Sequence, residues 1–229
     1  MPHHPPTHWK SVDGLVVARF RHGPLWNFSY LLACSETGEA AVIDPAWDAE
    51  AMAAAAAGRG LRITTILLTH GHSDHVNGVA ALVAATGARA FVHALDEDGL
   101  RAHGAEATSF SGGESFSFGG HEAVALHTPG HTPGSVTFQA GRLLFTGDTL
   151  AVGSPGTPGP AGGSLEALWQ STRLVAGMHD EMMVHPGHDS GPEPAARLEV
   201  ERARNPALLA ATLAEFRVAV ERATGRSHA

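Results

Sequence analysis

The stretch "TILLTHGHSDHVNG", residues 65–78, decides how this chain is read. Three histidines and one aspartate, His70, His72, Asp74 and His75, fall within six positions behind an apolar run. Burying four such groups unpaired beside an apolar strand would be costly, so coincidence is a poor account of them. On one helix they would point in scattered directions, because neighbours on a helix face lie three or four residues apart. On a strand, His70, His72 and Asp74 would share a face and His75 would not. The spacing therefore predicts a turn after a buried strand, with a helix starting near Asp74. Imidazole nitrogen and carboxylate oxygen are the ligand atoms expected for zinc, iron or manganese. Four candidates this close can serve two ions, two ligands each. A catalytic ion takes about three protein ligands and keeps one position open, so two ions need further ligands and a carboxylate able to bridge them.

The chain offers these later. "HTPGHTPGS" places His131 in a Pro/Gly turn between strands, "LLFTGDTL" places Asp148 directly after an apolar strand, and "MVHPGHDS" places His188 after another. Each repeats one pattern: apolar strand, sharp turn, ligand type. Strand ends converging on one sheet edge are where α/β sites form. His93, His103, His121 and His179 read as surface or hydrogen-bonded core residues, and His127 and His185, near two proposed ligands, as structural. Asp44, in "VIDPA", reads as a turn cap or a support for a ligating histidine.

Composition bounds the function. The 229 residues are 43% hydrophobic and 17% charged, with formal net charge −8 and a single lysine, Lys10. That acidic balance disfavours a nucleic-acid partner. One cysteine, Cys34, excludes an intramolecular disulfide, and a reduced cytoplasmic setting is the default expectation. No run reaches the ~18–20 apolar residues of a membrane span, and no signal peptide is expected at the N-terminus. Residues 1–10 read as a flexible Pro-rich leader carrying His3, His4 and His8, and 1–229 as a single domain.

Periodicity gives the frame. "GLVVARF", "NFSYLLAC" and "EAAVIDPA" read as strands. "DAEAMAAAAAGRG" reads as a helix capped by Asp48 and stopped at Gly58 or Gly60. "RITTILLTH" is a strand buried on both faces, and one helix is expected from about Asp74 to Gly87, with "ARAFVHA" a further strand. Strand–helix–strand order implies partly parallel pairing. The middle is strand-rich, with a hairpin around Gly141. Residues 153–163 read as a Gly/Pro loop bordering a site, "SLEALWQSTRLVAG" as a helix capped by Ser164, and two helices close the chain.

At these residues the sequence resembles the metallo-β-lactamase superfamily. THGHSDH matches its HxHxDH signature, and "TPGHTPGS", "FTGDT" and "HPGHD" match the later motifs in order and spacing, from "NFSYLL" to "ERARNPAL". The resemblance implies an αββα sandwich: two mixed sheets packed together, helices outside, metals at one edge. It is closest to the glyoxalase II-like hydrolases. That implies His70, His72 and His131 around one zinc, Asp74, His75 and His188 around a second, and Asp148 bridging, with Fe2+ or Mn2+ as alternatives. Asp74 is also the candidate catalytic residue. The implied reaction is attack of a metal-bridged hydroxide on a small-molecule ester, thioester or lactone. Two departures weigh against a glutathione-linked substrate: "GTPG" at 156–159 replaces a GRTD-like segment, and Ser190 stands where relatives often have Tyr. The longer C-terminal domain of glyoxalase II is also expected to be missing. A second resemblance, to persulfide dioxygenases, implies one iron on His70, His131 and Asp148; Ser135, where those relatives tend to have Cys, leans the reading towards the hydrolase.

Overall fold

The computed structural model describes residues 8–226. Seven strands form the first sheet in chain order: β1 (His8–Val12), β2 (Leu15–His22), β3 (Asn27–Cys34), β4 (Glu39–Ile43), β5 (Arg62–Leu67), β6 (Arg89–His93) and β7 (Thr108–Phe110). Pairing is antiparallel from β1 to β4 and parallel from β4 to β7. The second sheet holds β8 (Ser115–Phe118), β9 (His121–His127), β10 (Val136–Ala140) and β11 (Leu143–Gly147). A two-residue hairpin, β12 (Leu150–Ala151) and β13 (Ser154–Pro155), follows, and β14 (Met183–Pro186) and β15 (Ala196–Arg197) complete the second sheet in the order β15-β14-β11-β10-β9-β8.

Alternation along the strands sorts their side chains into layers. On β3, Leu31 and Ala33 face an outer core, whereas Phe28, Tyr30 and Leu32 face the second sheet. Phe118, Phe138 and Phe145 fill the inner layer from the other side. The outer face of the first sheet is covered by α1 (Ala49–Ala57), α2 (Ser73–Val76), α3 (Val79–Thr86) and α4 (Glu97–Arg101). The outer face of the second is covered by α5 (Leu165–Ala176), α6 (Leu198–Arg204), α7 (Pro206–Leu209) and α8 (Leu213–Arg226). The architecture is the αββα sandwich. Among the described residues no helix is long and apolar enough to cross a membrane.

Local expectations hold where capping chemistry dictates them. The Asp48 carboxylate accepts from Ala51 N–H at 3.1 Å, Gly58 ends α1, and Ser164 accepts from Ala167 N–H at 3.3 Å. Four readings need correction. The helix expected from Asp74 to Gly87 is two, broken at Asn77–Gly78. There the 45–47 backbone presses in: Trp47 N–H donates to Asn77 Oδ1 at 2.7 Å, and a Cβ at Gly78 would lie 2.6 Å from the Pro45 carbonyl oxygen. The chain closes with three helices, because Pro206 cannot continue α6 and Asn205 caps a new helix by accepting from Ala207 N–H. The 153–163 loop contributes β13. Of the leader, residues 1–7, with His3 and His4, lie outside the described residues, but residues 8–10 belong to β1, paired with β2. The short β7 and α4 were not anticipated; each has few residues on which a period can show.

One buried hydrogen bond joins the sheets beneath the site: Tyr30 Oη donates to the Pro186 carbonyl at 2.7 Å. Tyr30→Phe leaves that carbonyl unpaired, so it should lower unfolding free energy by about 1–3 kcal/mol without changing the fold, as measured by urea denaturation.

Candidate metal centre

The site lies where strand ends meet. Asp44 follows β4, His70 lies shortly after β5, Asp148 follows β11, and His188 lies just beyond β14. His131 sits in the turn between β9 and β10. β4 and β5 run parallel, as do β11 and β14, so their C-terminal ends share one edge. The antiparallel β3 begins there, at Asn27.

All seven sequence-selected residues come together. The ligand atoms of His70, His72 and His131 lie within 4.8 Å of one another, as do those of Asp74, His75 and His188. Asp148 sits between the two groups. Its Oδ2 is 3.4 Å from His131 Nε2 and 3.3 Å from His188 Nε2, and its Oδ1 is 3.6 Å from His75 Nε2.

Hydrogen bonds at the far edges of the rings assign the protons. His131 Nδ1 donates to the Thr157 carbonyl at 2.6 Å, His188 Nδ1 to the Leu25 carbonyl at 3.0 Å, and His75 Nδ1 to Asp44 at 3.0 Å. Thr69 Oγ1 gives its proton to Asp44 and accepts from His70 Nδ1 at 3.0 Å. Each of these four rings therefore turns its Nε2 inward. Two of them, on His75 and His188, face each other at 3.1 Å, and His131 Nε2 lies 2.8 Å from His72 Nδ1. His70 Nε2 and His72 Nε2 are buried without a hydrogen-bond partner. Ring nitrogens facing each other beside two carboxylates repel unless a proton or a metal ion lies between them. A divalent ion bound to nitrogen at ~2.0 Å spaces its ligands ~3.3 Å apart, close to the distances seen. The residues present fit such an ion.

Electrostatics agree. Burial, with His75 nearby, holds His70 well below the ordinary imidazole range, and burial with His131 lowers His72. Burial opposes the charge on Asp148, yet His75 and His188 outweigh it and hold the carboxyl well below its usual range. At His188, burial is outweighed by Asp148, and the imidazole is raised to about 9.

Asp44, His70 and His75 are also close enough to group, but Asp44 is already engaged: it accepts from Thr69 N–H at 2.7 Å, Thr69 Oγ1 at 2.6 Å and His75. Its acceptors are taken up by Thr69 and His75, so it supports these rings from behind. His185 points into the inner core, stacked on Phe145 at 5.1 Å, and His127 donates to the Pro133 carbonyl and stacks on His93 at 4.4 Å. His103, His121 and His179 take no part in the cluster.

Sequence reading missed Asn27. It is fully buried, donates to Asp74 Oδ2 at 2.8 Å and accepts from Trp47 Nε1 at 3.2 Å. An asparagine opening an apolar strand was its only signal. The 153–163 loop borders the site as expected: Thr157 holds His131, and a Cβ at Gly159 would lie 2.8 Å from the His72 ring.

The chain belongs to the metallo-β-lactamase superfamily: residues 23–188 match that family. Within it, the chain is 38% identical over 181 residues to a hydroxyacylglutathione hydrolase of Polaromonas sp. (strain JS666 / ATCC BAA-500), covering 76% of this chain and 67% of that protein. The chain spans about two thirds of the length of the curated relatives it matches. Among solved structures it is similar to ETHE1 from Myxococcus xanthus, with TM-score 0.81 and 26% identity over 90% of this chain and 89% of that one. It is also similar to TTHA1623 in a di-iron-bound form, with TM-score 0.70 and 33% identity over 82% and 98%.

Because His188 holds its proton up to about pH 9, a metal ion at Asp74, His75 and His188 must displace it. Affinity there should tighten by up to about tenfold per pH unit until that pKa is passed, then level off. Titration of metal-free protein at pH 7, 8 and 9 checks this; a pH-independent affinity would contradict it.

Proposed function

We propose that this chain is a two-metal hydrolase, carried on a single domain, that cleaves an ester, thioester or lactone. His70, His72 and His131 would hold one ion, Asp74, His75 and His188 the second, and Asp148 would offer its carboxylate to both. Zinc is the proposed metal, with Fe2+ or Mn2+ as alternatives. The observation that carries the reading is the pair of three-ligand groups sharing one carboxylate, each short of a full coordination shell, as a catalytic ion requires. The hydrolase relatives support the reaction class and the di-iron neighbour supports two ions. Bound divalent ions supply Lewis acidity that makes water nucleophilic at neutral pH.

The chain's own residues supply the rest. Asp148 offers oxygens towards both groups. Asp74 acts as ligand and catalytic carboxylate, one of its oxygens fixed by Asn27. A cavity of about 840 Å³ opens beside Asp148 and His188, with Leu25, Val152, Pro155 and Arg222 among its walls. A small-molecule substrate fits it. Among the described residues lining it, Arg222 is the one arginine or lysine, which favours an acyl or leaving group with a negative charge. The free, buried Cys34 is consistent with a cytoplasmic setting.

A second reading keeps one iron on His70, His131 and Asp148, as in a persulfide dioxygenase-like oxidoreductase. It has in its favour the approach of Asp148 Oδ2 to His131 Nε2 at 3.4 Å, which makes a two-histidine, one-carboxylate set. His188→Ala separates the two. On the hydrolase reading it should weaken the second ion by about 10–100-fold or more and cut thioester hydrolysis with it. Retention of one iron, with oxygen uptake intact, would assign the protein to the oxidoreductases instead. Asp148→Ala should reduce activity further, because it serves both ions; elemental analysis and kcat/KM measure both variants. Arg222→Ala should raise KM about fivefold for a carboxylate-bearing thioester and leave a neutral one unchanged, the size of one exposed ion pair.

A further inference from the structure

Asp96 lies outside every motif that carries the site, after β6 and at the start of α4. It is 7% exposed, and its carboxylate is spent on two loops. Oδ2 accepts from Gly71 N–H at 2.8 Å and from Thr132 Oγ1 at 2.6 Å, and Oδ1 accepts from Gly134 N–H at 2.8 Å. Gly71 separates His70 from His72, whereas Thr132 and Gly134 directly follow His131 in its turn. The three histidines of one group thus hang on two loops that meet at a single carboxylate.

The approach is close on every side. A Cβ at Gly134 would lie 2.5 Å from Asp96 Oδ1, and one at Gly71 would lie 2.5 Å from the Asp96 carbonyl oxygen. Gly99 packs against the Gly71 carbonyl in the same way. One backbone bond, Val136 N–H to the Thr69 carbonyl at 2.8 Å, also joins the two segments, but it sits at the strand ends, before the turns that aim the rings. None of Asp74, His75 and His188 donates a hydrogen bond to Asp96; those are held through Asn27, Asp44 and Leu25.

We infer that Asp96 is a positioning residue specific to the ion on His70, His72 and His131: by binding both loops it sets the distance between the His70–His72 pair and His131. This rests on the two-ion reading above. The carboxylate is suited to the task because all three groups facing it are donors and it presents only acceptors. Asp96→Asn keeps the shape but turns an amide N–H2 towards at least one backbone N–H, so one loop loses its anchor. The two half-sites should respond differently. Groups that orient ligands from behind typically control metal affinity by ~10–100-fold.

The experiment titrates metal-free wild-type protein, Asp96→Asn and the milder Thr132→Val with Co2+, followed by visible absorption, with His72→Ala marking which step belongs to which group. Thermal unfolding is recorded alongside. The expected result is a 10–100-fold weakening of the His70/His72/His131 step in Asp96→Asn, a smaller shift of the same step in Thr132→Val, an unchanged second step, and recovery of the first at high Co2+. Unchanged affinities in both variants, or equal weakening of both steps in proportion to a lost melting temperature, overturn the inference. If Asp96→Asn does not fold, Thr132→Val alone decides by the same site-selective criterion. A wild-type chain that binds fewer than two ions overturns the two-ion reading itself, and this inference with it.

Discussion

Four imidazole rings, each tied at Nδ1, turn their Nε2 lone pairs into one buried space beside two carboxylates. The strand ends, glycines and connecting turns answer to that constraint. Lone pairs facing across 3.1 Å repel unless a proton or a metal ion lies between them. The rings are nevertheless held in place from behind: by Asp44 through Thr69 and His75, by the Leu25 carbonyl, and by the Thr157 carbonyl. Such preorganisation keeps the ligands from relaxing away from a cation, and explains why polar side chains can occupy the rim of an apolar sandwich.

The same constraint explains residues with no chemistry of their own. At Gly187 a Cβ would lie 2.5 Å from Asp148 Oδ1 and 2.8 Å from the His75 ring, so the chain between Pro186 and His188 must pass with no side chain. Gly147 adopts a φ of +48°, which lets β11 end in a turn that delivers Asp148, and a Cβ there would strike Thr69 Oγ1 at 2.5 Å. Glycine in "FTGDT" and "HPGHD" is thus the means by which two strand ends reach the same small volume.

Burial and charge then divide the centre electrically. Burial and neighbouring imidazoles keep His70 and His72 neutral, while His188, without metal, takes a proton under the influence of Asp148. An ion entering at the second end would compete with that proton. The cavity opens on the Asp148–His188 side.

The sequence by itself determined the ligand types, their pattern after apolar strands, the layered alternation and most element positions, because these depend on local periodicity and on residues neighbouring in the chain. His70, His72, Asp74 and His75 were legible from spacing alone, and His131, Asp148 and His188 from a repeated strand-then-turn pattern. Tertiary structure alone decided the rest: the break at Gly78, where a loop thirty residues upstream presses in; the burial of Asn27 against Asp74; and the engagement of Asp96 with two distant loops. Each of these is a contact between segments far apart in the chain, where the sequence holds no period or motif to betray it, and only the meeting of two sheets at one edge brings the partners within reach.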